Sequence, residues 1–341
     1  MKGAGDNTTR PVVLADVQIK RVRTASPVVG HIVSNELCLY GKSASFVKHT
    51  VIDVSGTPLA GAFRAGQSFG VIPPGVDEHG KPHKVRLYSL ACPSWGEDGK
   101  GNVISTTTKR LIDEFIPQTV NERSRAHHLF LGVCSNYMCD LLPGDEIRLC
   151  GPVGSRFQLP VDPSVHDYLF LATGTGIAPF RGMLTELLCG KAGAVPSQIH
   201  LVMGAAYTTD LLYHDLFQKL TAVHPNFNYH TAISREPRPQ GQEGDEGETR
   251  HTGRRGLYVH QLVEQRLDEF SALIASPRTL IYVCGLAGMQ WDVFRMLARH
   301  GLSQDYFIRT GALEKLAPED WTDADIRRGA RPTDRCLVEV Y

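Results

Sequence analysis

Residues His166 to Leu184 read His-Asp-Tyr-Leu-Phe-Leu-Ala-Thr-Gly-Thr-Gly-Ile-Ala-Pro-Phe-Arg-Gly-Met-Leu. Tyr168 to Ala172 is a continuous apolar run of strand length, and Thr173 to Gly176 breaks it with two glycines. A helix is predicted next. Pro179 suits a first turn, where its missing N–H is no loss, and Phe180, Met183 and Leu184 recur at helical spacing. Strand, glycine turn and helix N-terminus together gather backbone N–H groups and the positive end of a helix dipole, an arrangement that suits a phosphate. The expected ligand is a nucleotide. The same pattern also serves as plain connection in α/β proteins, and the spacing is not Gly-x-Gly-x-x-Gly, because Ala178 and Pro179 stand around the place of the third glycine.

Downstream of this stretch, apolar strand candidates recur at Ile199 to Met203, Tyr229 to Ile233 and Leu280 to Cys284. Helical candidates lie among them, at Pro179 to Cys189, Leu211 to Val223, Leu257 to Phe270 and Ala287 to His300. Alternating strands and helices predict a parallel sheet covered on both faces, with ligands beyond the carboxyl ends of its strands. Those ends carry Gly204, Ser234-Arg235 and Cys284-Gly285. Residues 236–256, rich in Gly, Glu, Arg and Pro, read as a mobile insertion.

Upstream, from Val12 to about Pro160, short β-rich runs alternate with turn residues: Val28 to Leu39, Ser45 to Val54, Gln67 to Ile72, Val85 to Leu90, Asn102 to Thr108, His128 to Leu131 and Glu146 to Leu149. This density predicts a barrel or sandwich. Ser94 to Gly101 and Phe115 to Ala126 read as surface loops. The expected organisation is a flexible start at 1–11, a β domain at 12–160 and an α/β domain at 161–341.

With 341 residues, 42% of them hydrophobic, the chain can bury two cores. Lys+Arg and Asp+Glu balance at 36 each, so no global field favours nucleic acid or a charged membrane surface. No apolar run approaches the roughly 20 residues of a membrane-spanning helix. The first residues lack the apolar core of a secretory signal, and the eight scattered cysteines lack the dense spacing of secreted domains. A reducing cytoplasm is expected, or an organelle after removal of a targeting segment. Cys134 and Cys139 form a Cys-x4-Cys pair without a third ligand at iron–sulfur spacing, so no metal is expected.

Arg86-Leu87-Tyr88-Ser89 lies on a strand candidate whose alternation puts Arg86 and Tyr88 on one face and Ser89 on the other. Gly132 to Asp140 can form a second strand-to-helix phosphate cradle. Taken with Gly151 to Gly154, Thr173 to Arg181, Ser234-Arg235-Glu236, Cys284 to Met289 and Val338-Glu339-Val340-Tyr341, these segments resemble, in order, the plant-type ferredoxin-NADP reductase family. The resemblance covers the chain from about Leu39 onward.

The resemblance implies an N-terminal antiparallel β-barrel binding FAD, followed by an α/β parallel-sheet domain binding NADP(H), with Tyr341 returning to the flavin. Arg86 would pair with the FAD pyrophosphate. Gly132, Val133, Cys134 and Ser135 would also hold the pyrophosphate, while Leu87 and Ser89 belong to the same flavin-binding strand. Tyr88 and Tyr341 would sandwich the isoalloxazine. Thr107, Thr108 and Lys109 would line the flavin edge. Thr175, Ala205, Ala206, Gly285 and Leu286 match NADP-holding positions. Ser234 and Arg235 match the grip on the 2′-phosphate, and Tyr258 matches the adenine-stacking residue. Ser89, Cys284, Glu339 and Tyr341 match the catalytic positions at which hydride passes between flavin N5 and nicotinamide C4, with Tyr341 as a gate.

Two positions depart from the family pattern. Asp113 stands where many members stack a tyrosine on the FAD adenine, and Gly256 replaces a lysine, with Arg254 and Arg255 adjacent. The implied activity is exchange of single electrons with ferredoxin or flavodoxin and of a hydride with NADP(H), by a monomer whose partner docks transiently. Lys20, Arg21, Arg23 and Arg123 are the candidate docking cations. A reductase component feeding an oxygenase from NADPH remains an alternative, as does a redox-inert nucleotide-binding protein. Residues 303–336 have no assigned role; an altered partner surface is one hypothesis.

Overall fold

Apolar residues that alternate with polar ones line a barrel, and continuous apolar runs become a sheet covered on both faces. The computed structural model describes residues 11–39, 41, 43, 45–114, 129–236 and 256–341. Those residues divide into a barrel unit, drawn from 16–158 and 181–185, and a sheet unit, drawn from 11–15, 159–180 and 186–341. The expected loop at 115–126 lies outside the described residues, as do almost all of the flexible start and the insertion, and Arg123, Arg254 and Arg255 with them.

The barrel unit contains β1 (Val28–Leu37), β2 (Val47–Asp53), β3 (Ser68–Val71), β4 (Arg86–Ser89), β5 (Val103–Lys109), β6 (Ile112–Glu114), β7 (Leu129–Leu131), α1 (Val133–Asp140) and β8 (Glu146–Val153). Its main sheet has the order β4-β3-β8-β1-β2-β5, with every neighbouring pair antiparallel. The two edges meet just past β4, where Leu90 bridges Thr106 and the Ala91 N–H donates to the Ser105 carbonyl at 2.8 Å. That contact closes the barrel. In β8, Ile147 and Leu149 point inward while Glu146 and Arg148 face solvent, and Ile52, Phe69, Val71, Ile104 and Met138 complete the core. Burying such a side chain stabilises the fold by about 1.5–3 kcal/mol.

The sheet unit begins with β9 (Asp167–Thr173), the apolar run that opens the central stretch. It continues with α2 (Ile177–Cys189), of which residues 181–185 belong to the barrel unit, then β10 (Ile199–Ala205), α3 (His214–Val223) and β11 (Phe227–Ile233). After the undescribed residues come α4 (Val259–Gln265), α5 (Leu267–Ala275), β12 (Thr279–Gly285), α6 (Ala287–Arg299), β13 (Phe307–Arg309), α7 (Asp323–Gly329), β14 (Ala330–Pro332) and β15 (Cys336–Val340). The sheet order β11-β10-β9-β12-β15 is parallel throughout. Both faces of β9 are buried: Leu169 and Leu171 join the core that includes α4, α5 and α6, and the Phe170 ring packs 4.9 Å from Phe180 and 5.1 Å from Tyr282. From β9 the strands succeed one another toward β11 on one side and toward β15 on the other, so the order reverses between β9 and β12. Ligands of open α/β sheets bind beyond the carboxyl ends at such a reversal.

Several local expectations shift. The helix predicted from Pro179 begins at Ile177. The helix expected from Leu211 opens only at His214, after a 3-10 turn at Thr208–Asp210 and a left-handed Tyr213. The helix expected over 257–270 is two helices broken at Arg266. Residues 303–336, unassigned from sequence, form β13, β14, α7 and two 3-10 turns between β13 and α7, and Phe307, Leu313, Trp321 and Ile326 of this segment are buried in the same core as Phe294 of α6. Phe307 stacks on Phe294 with ring centroids 4.5 Å apart.

Candidate active site

In the barrel unit, α1 opens directly from β7 at Gly132, whose N–H donates to the Leu111 carbonyl at 3.0 Å. The first N–H groups of a helix have no intrahelical acceptor. No side chain caps this end, and its first turn carries no acidic residue. A Cβ on Gly132 would lie 2.7 Å from Ser135 Oγ and 2.9 Å from Leu111 Cβ, so only glycine keeps the entrance open. Val133 is exposed, Cys134 is buried, and the Ser135 hydroxyl donates to the Gly132 carbonyl at 3.1 Å while accepting the Leu111 N–H at 3.2 Å.

Arg86 and Tyr88 of β4 face the same helix end. Burial pushes the Tyr88 phenol pKa up, with the neighbouring Cys134 thiol adding to the effect, and the Arg86 guanidinium favours the ionised form of both groups. Leu87 is exposed on the opposite side. Ser89 turns toward Ser68, with the two hydroxyls 3.4 Å apart, and its carbonyl accepts the Thr106 hydroxyl at 2.7 Å. Thr107 and Thr108 are buried in β5, and Lys109 ends that strand in solvent. An uncapped helix end, an adjacent guanidinium and a half-buried phenol fit the pyrophosphate and ring system of a flavin nucleotide.

In the sheet unit, the glycine turn packs against the end of β12. A Cβ on Gly176 would sit 2.2 Å from the Cys284 carbonyl oxygen, and one on Gly285, whose φ is +139°, would sit 2.2 Å from Thr173 Oγ1. Neither position admits a side chain. The Thr173 hydroxyl accepts the Leu286 N–H at 3.0 Å, leaving the Leu286 side chain exposed at the start of α6. One strand further out, the ladder between β10 and β11 continues past their ends: Ser234 N–H donates to the Ala205 carbonyl at 3.0 Å and Arg235 N–H to the Ala206 carbonyl at 2.9 Å. Tyr258 is exposed at the start of α4 and lies parallel to His260, with centroids 6.1 Å apart. Gly256 lies against the Ser234 backbone, where a Cβ would come 2.2 Å from the Ile233 carbonyl oxygen. Close approach excludes a side chain at the position where the resemblance implied lysine.

Cys284, Glu339 and Tyr341 come together in this unit. Cys284 and Glu339 are register partners on β12 and β15, and burial, reinforced by the Glu339 carboxylate, holds the Cys284 thiol well above the usual range. The thiol is therefore a neutral, soft wall. Tyr341 is 64% exposed. Its backbone N–H donates to the Gly285 carbonyl at 3.0 Å, and its hydroxyl lies 2.7 Å from that of Thr175.

Other groups escaped the sequence reading. Arg181 grips both oxygens of Glu97, at 2.6 and 3.3 Å, and donates to the Ala91 carbonyl at 2.8 Å. His49 and the Ser105 hydroxyl approach the same carboxylate. Burial raises the Glu97 pKa, but the Arg181 and Ser105 contacts outweigh it, and His49 is pushed down to about 4 by burial and by Arg181. In the sheet unit, His200, His230 and Glu269 present ligand atoms within 4.8 Å of one another. A metal-bound histidine normally donates its other ring N–H to an acceptor. Here that nitrogen, His230 Nδ1, faces a pure donor, Arg266 Nη1, at 2.8 Å, so it must itself accept. His230 then carries its proton on Nε2, directed at His200 Nδ1 3.2 Å away. Arg266, His230 and His200 are thus joined in a hydrogen-bonded chain.

The match to the family model described as Oxidoreductase NAD-binding domain spans residues 170–294. The cyanelle ferredoxin–NADP reductase of Cyanophora paradoxa is 35% identical over 330 residues, 96% of this chain and 80% of that protein. The chain belongs to the ferredoxin–NADP reductase family. A second ferredoxin–NADP reductase, from Thermosynechococcus vestitus, is 34% identical over 92% of this chain and 77% of its own length. The fold is shared with the ferredoxin–NADP+ reductase of Plasmodium falciparum, with a TM-score of 0.64 at 22% identity over 95% of this chain and 99% of that one. The same reductase has been solved with 2′P-AMP, and this chain superposes on that form with a TM-score of 0.66 at 20% identity over 96% of this chain and 100% of that one.

Proposed function

We propose that this chain is an FAD-dependent ferredoxin–NADP+ oxidoreductase, exchanging a hydride with NADP(H) and single electrons with a ferredoxin or flavodoxin. The observation that carries the reading is the uncapped start of α1 facing Arg86 and Tyr88, in a member of this family whose sheet unit gathers Thr175, Cys284, Glu339 and Tyr341 near the carboxyl ends of its strands. When bound, FAD supplies both the two-electron and the one-electron chemistry.

The chain's own residues bind, orient and shield. The N–H groups of Val133, Cys134 and Ser135 and the Arg86 guanidinium hold the pyrophosphate, while Tyr88 packs against the ring system and Leu87 and Gly132 shape the entrance. Thr107, Thr108 and Lys109 border the flavin edge, and Ser89 presents its hydroxyl to the reacting edge. Thr175, Ala205, Ala206, Gly285 and Leu286 receive NADP(H), Ser234 and Arg235 grip its 2′-phosphate, and Tyr258 stacks on its adenine. Cys284 supports the nicotinamide with an uncharged thiol, and Glu339 positions the polar groups beside it. Tyr341, held at Thr175 and exposed on its other side, yields that place when nicotinamide arrives.

The electron partner is an acidic one-electron carrier met transiently by a monomer, with Lys20, Arg21 and Arg23 as docking cations. All eight cysteines are free thiols, in keeping with a reducing compartment, cytoplasmic or organellar. No helix among the described residues is long and apolar enough to cross a membrane.

Stopped-flow reduction of the FAD-loaded protein by NADPH and by NADH tests the proposal. Rapid flavin bleaching with strong preference for NADPH is expected. Absence of bleaching with both would overturn it.

A further inference from the structure

The turn that follows β11 is tied down from an unexpected quarter. Glu236 reaches back to the loop after β10, where one carboxylate oxygen accepts the Thr208 N–H at 2.5 Å and the other accepts the Thr208 hydroxyl at 2.6 Å. These charge-assisted bonds are the strong kind, and the pair is bidentate. Together with the backbone bonds from Ser234 to Ala205 and from Arg235 to Ala206, they form successive cross-links between the two strand ends. On the other side of the turn, Gly256 allows the returning chain to lie against Ser234, and the Leu257 N–H donates to the Ile233 carbonyl at 2.7 Å. The Ser234-Arg235 backbone is thus clamped before any ligand arrives.

We infer that Glu236, through Thr208, is a positioning residue for recognition of the NADP 2′-phosphate, which rests on the proposed role of Ser234 and Arg235. The clamp has two effects. It fixes the turn so that binding does not have to order it, and preorganisation of this kind converts directly into affinity. It also commits both carboxylate oxygens to Thr208 donors, so that an acidic residue directly after the phosphate grip is turned away from the phosphate. Both hydrogen bonds hold its pKa below the usual carboxylate range. Its charge is present throughout the physiological range, and its neighbour Arg235 is exposed with no ion pair among the described residues. The arrangement keeps the cation available.

The two possible roles of Glu236 predict opposite signs. If the carboxylate acted on the phosphate only through its charge, removing it would tighten binding. If it acts as a clamp, removing it weakens binding. The experiment is calorimetric titration of the FAD-loaded full chain with 2′,5′-ADP and with 5′-AMP, for wild type, Glu236→Ala, Glu236→Gln and Thr208→Val. The expected result is a weakening of 2′,5′-ADP by about five- to tenfold in Glu236→Ala, the scale of one turn and one long side chain that must now be ordered on binding. Glu236→Gln, which keeps an acceptor for the Thr208 N–H, recovers part of the loss, and Thr208→Val reproduces it. The 5′-AMP affinity does not move, and in flavin reduction the KM for NADPH rises while kcat holds. Unchanged or tighter 2′,5′-ADP binding in Glu236→Ala overturns the clamp while leaving the 2′-phosphate grip standing. A wild-type protein that binds 2′,5′-ADP no better than 5′-AMP overturns the grip itself, and the clamp with it.

Discussion

The hydroxyls of Tyr341 and Thr175 lie 2.7 Å apart, and the Tyr341 phenol also accepts the Gly176 N–H. The aromatic that follows β15 is therefore fastened to the same glycine turn that gathers donors for a nucleotide. Tyr341→Phe keeps the ring and removes this fastening. A hydrogen bond contributes about 0.5–1.5 kcal/mol net, so NADP+ should bind about two- to tenfold more tightly to the variant. Titration of the flavin difference spectrum measures it, and weaker binding would show that the phenol helps the nucleotide rather than competing with it.

Arg181 and Glu97 form a bidentate pair whose side chains are only 19% and 24% exposed. Removing one partner of such a pair leaves the other poorly solvated. Arg181→Met is expected to destabilise the barrel unit by about 2–3 kcal/mol, reduced from the fully buried figure because water still reaches both groups. Adding Glu97→Gln should restore much of the loss. Urea unfolding followed by flavin fluorescence checks this, and additive losses in the double variant would count against coupling.

Buried histidines make the fold acid-sensitive. His49 and His230 are held down to about 4 and about 3, the first by burial and Arg181, the second by burial, Arg266 and His200. Both are neutral in the folded chain but take up protons in the unfolded chain below about pH 6.5. Their contribution is thus complete above pH 6.5 and declines as pH falls toward those lower values, at up to about 1.4 kcal/mol per pH unit for each group. Unfolding free energies at pH 7, 6 and 5 should fall accordingly. His230→Gln should show a shallower slope; an identical slope would mean that His230 titrates normally.

Trp321, buried against Phe307, donates its indole N–H to the Leu316 carbonyl at 3.1 Å. Residues 303–336 thereby act as part of the sheet unit's core, and Trp321→Ala should cost about 3–5 kcal/mol. A melting temperature lowered by less than a few degrees would return this segment to the role of a surface appendage.

The elements that sequence reading located are those whose environment is written into composition. The run Tyr168 to Ala172 is apolar at every position because both faces of β9 are covered, and the alternation in β8 follows from a single buried face. The break at Arg266 was hidden, since apolar spacing continues across it. There the backbone leaves the helix while the guanidinium engages His230, 36 residues away, a tertiary partner with no local signature. The short elements after Ser303 carry too few turns to show a period. At the site, glycine turns and the Arg86 strand were legible because they are contiguous. The Glu236–Thr208 clamp joins positions 28 residues apart, and neither residue type announces a partner. Arg181 closes the segment Thr173 to Arg181 without an assigned role, although a single charge in an apolar helical turn is itself a signal that it needs a counterion.

Strand β3 pairs with β8 through contacts such as Gly70 with Cys150, and β4, which carries Arg86 and Ser89, is hydrogen-bonded into the sheet through β3. Gly70 and Cys150 stand 80 residues apart in sequence, and the entropy of closing that loop is lost before any contact repays it, so the barrel should assemble slowly. Recovery of flavin binding by a refolding chain would then be timed by polypeptide rearrangement, independent of how much FAD is supplied.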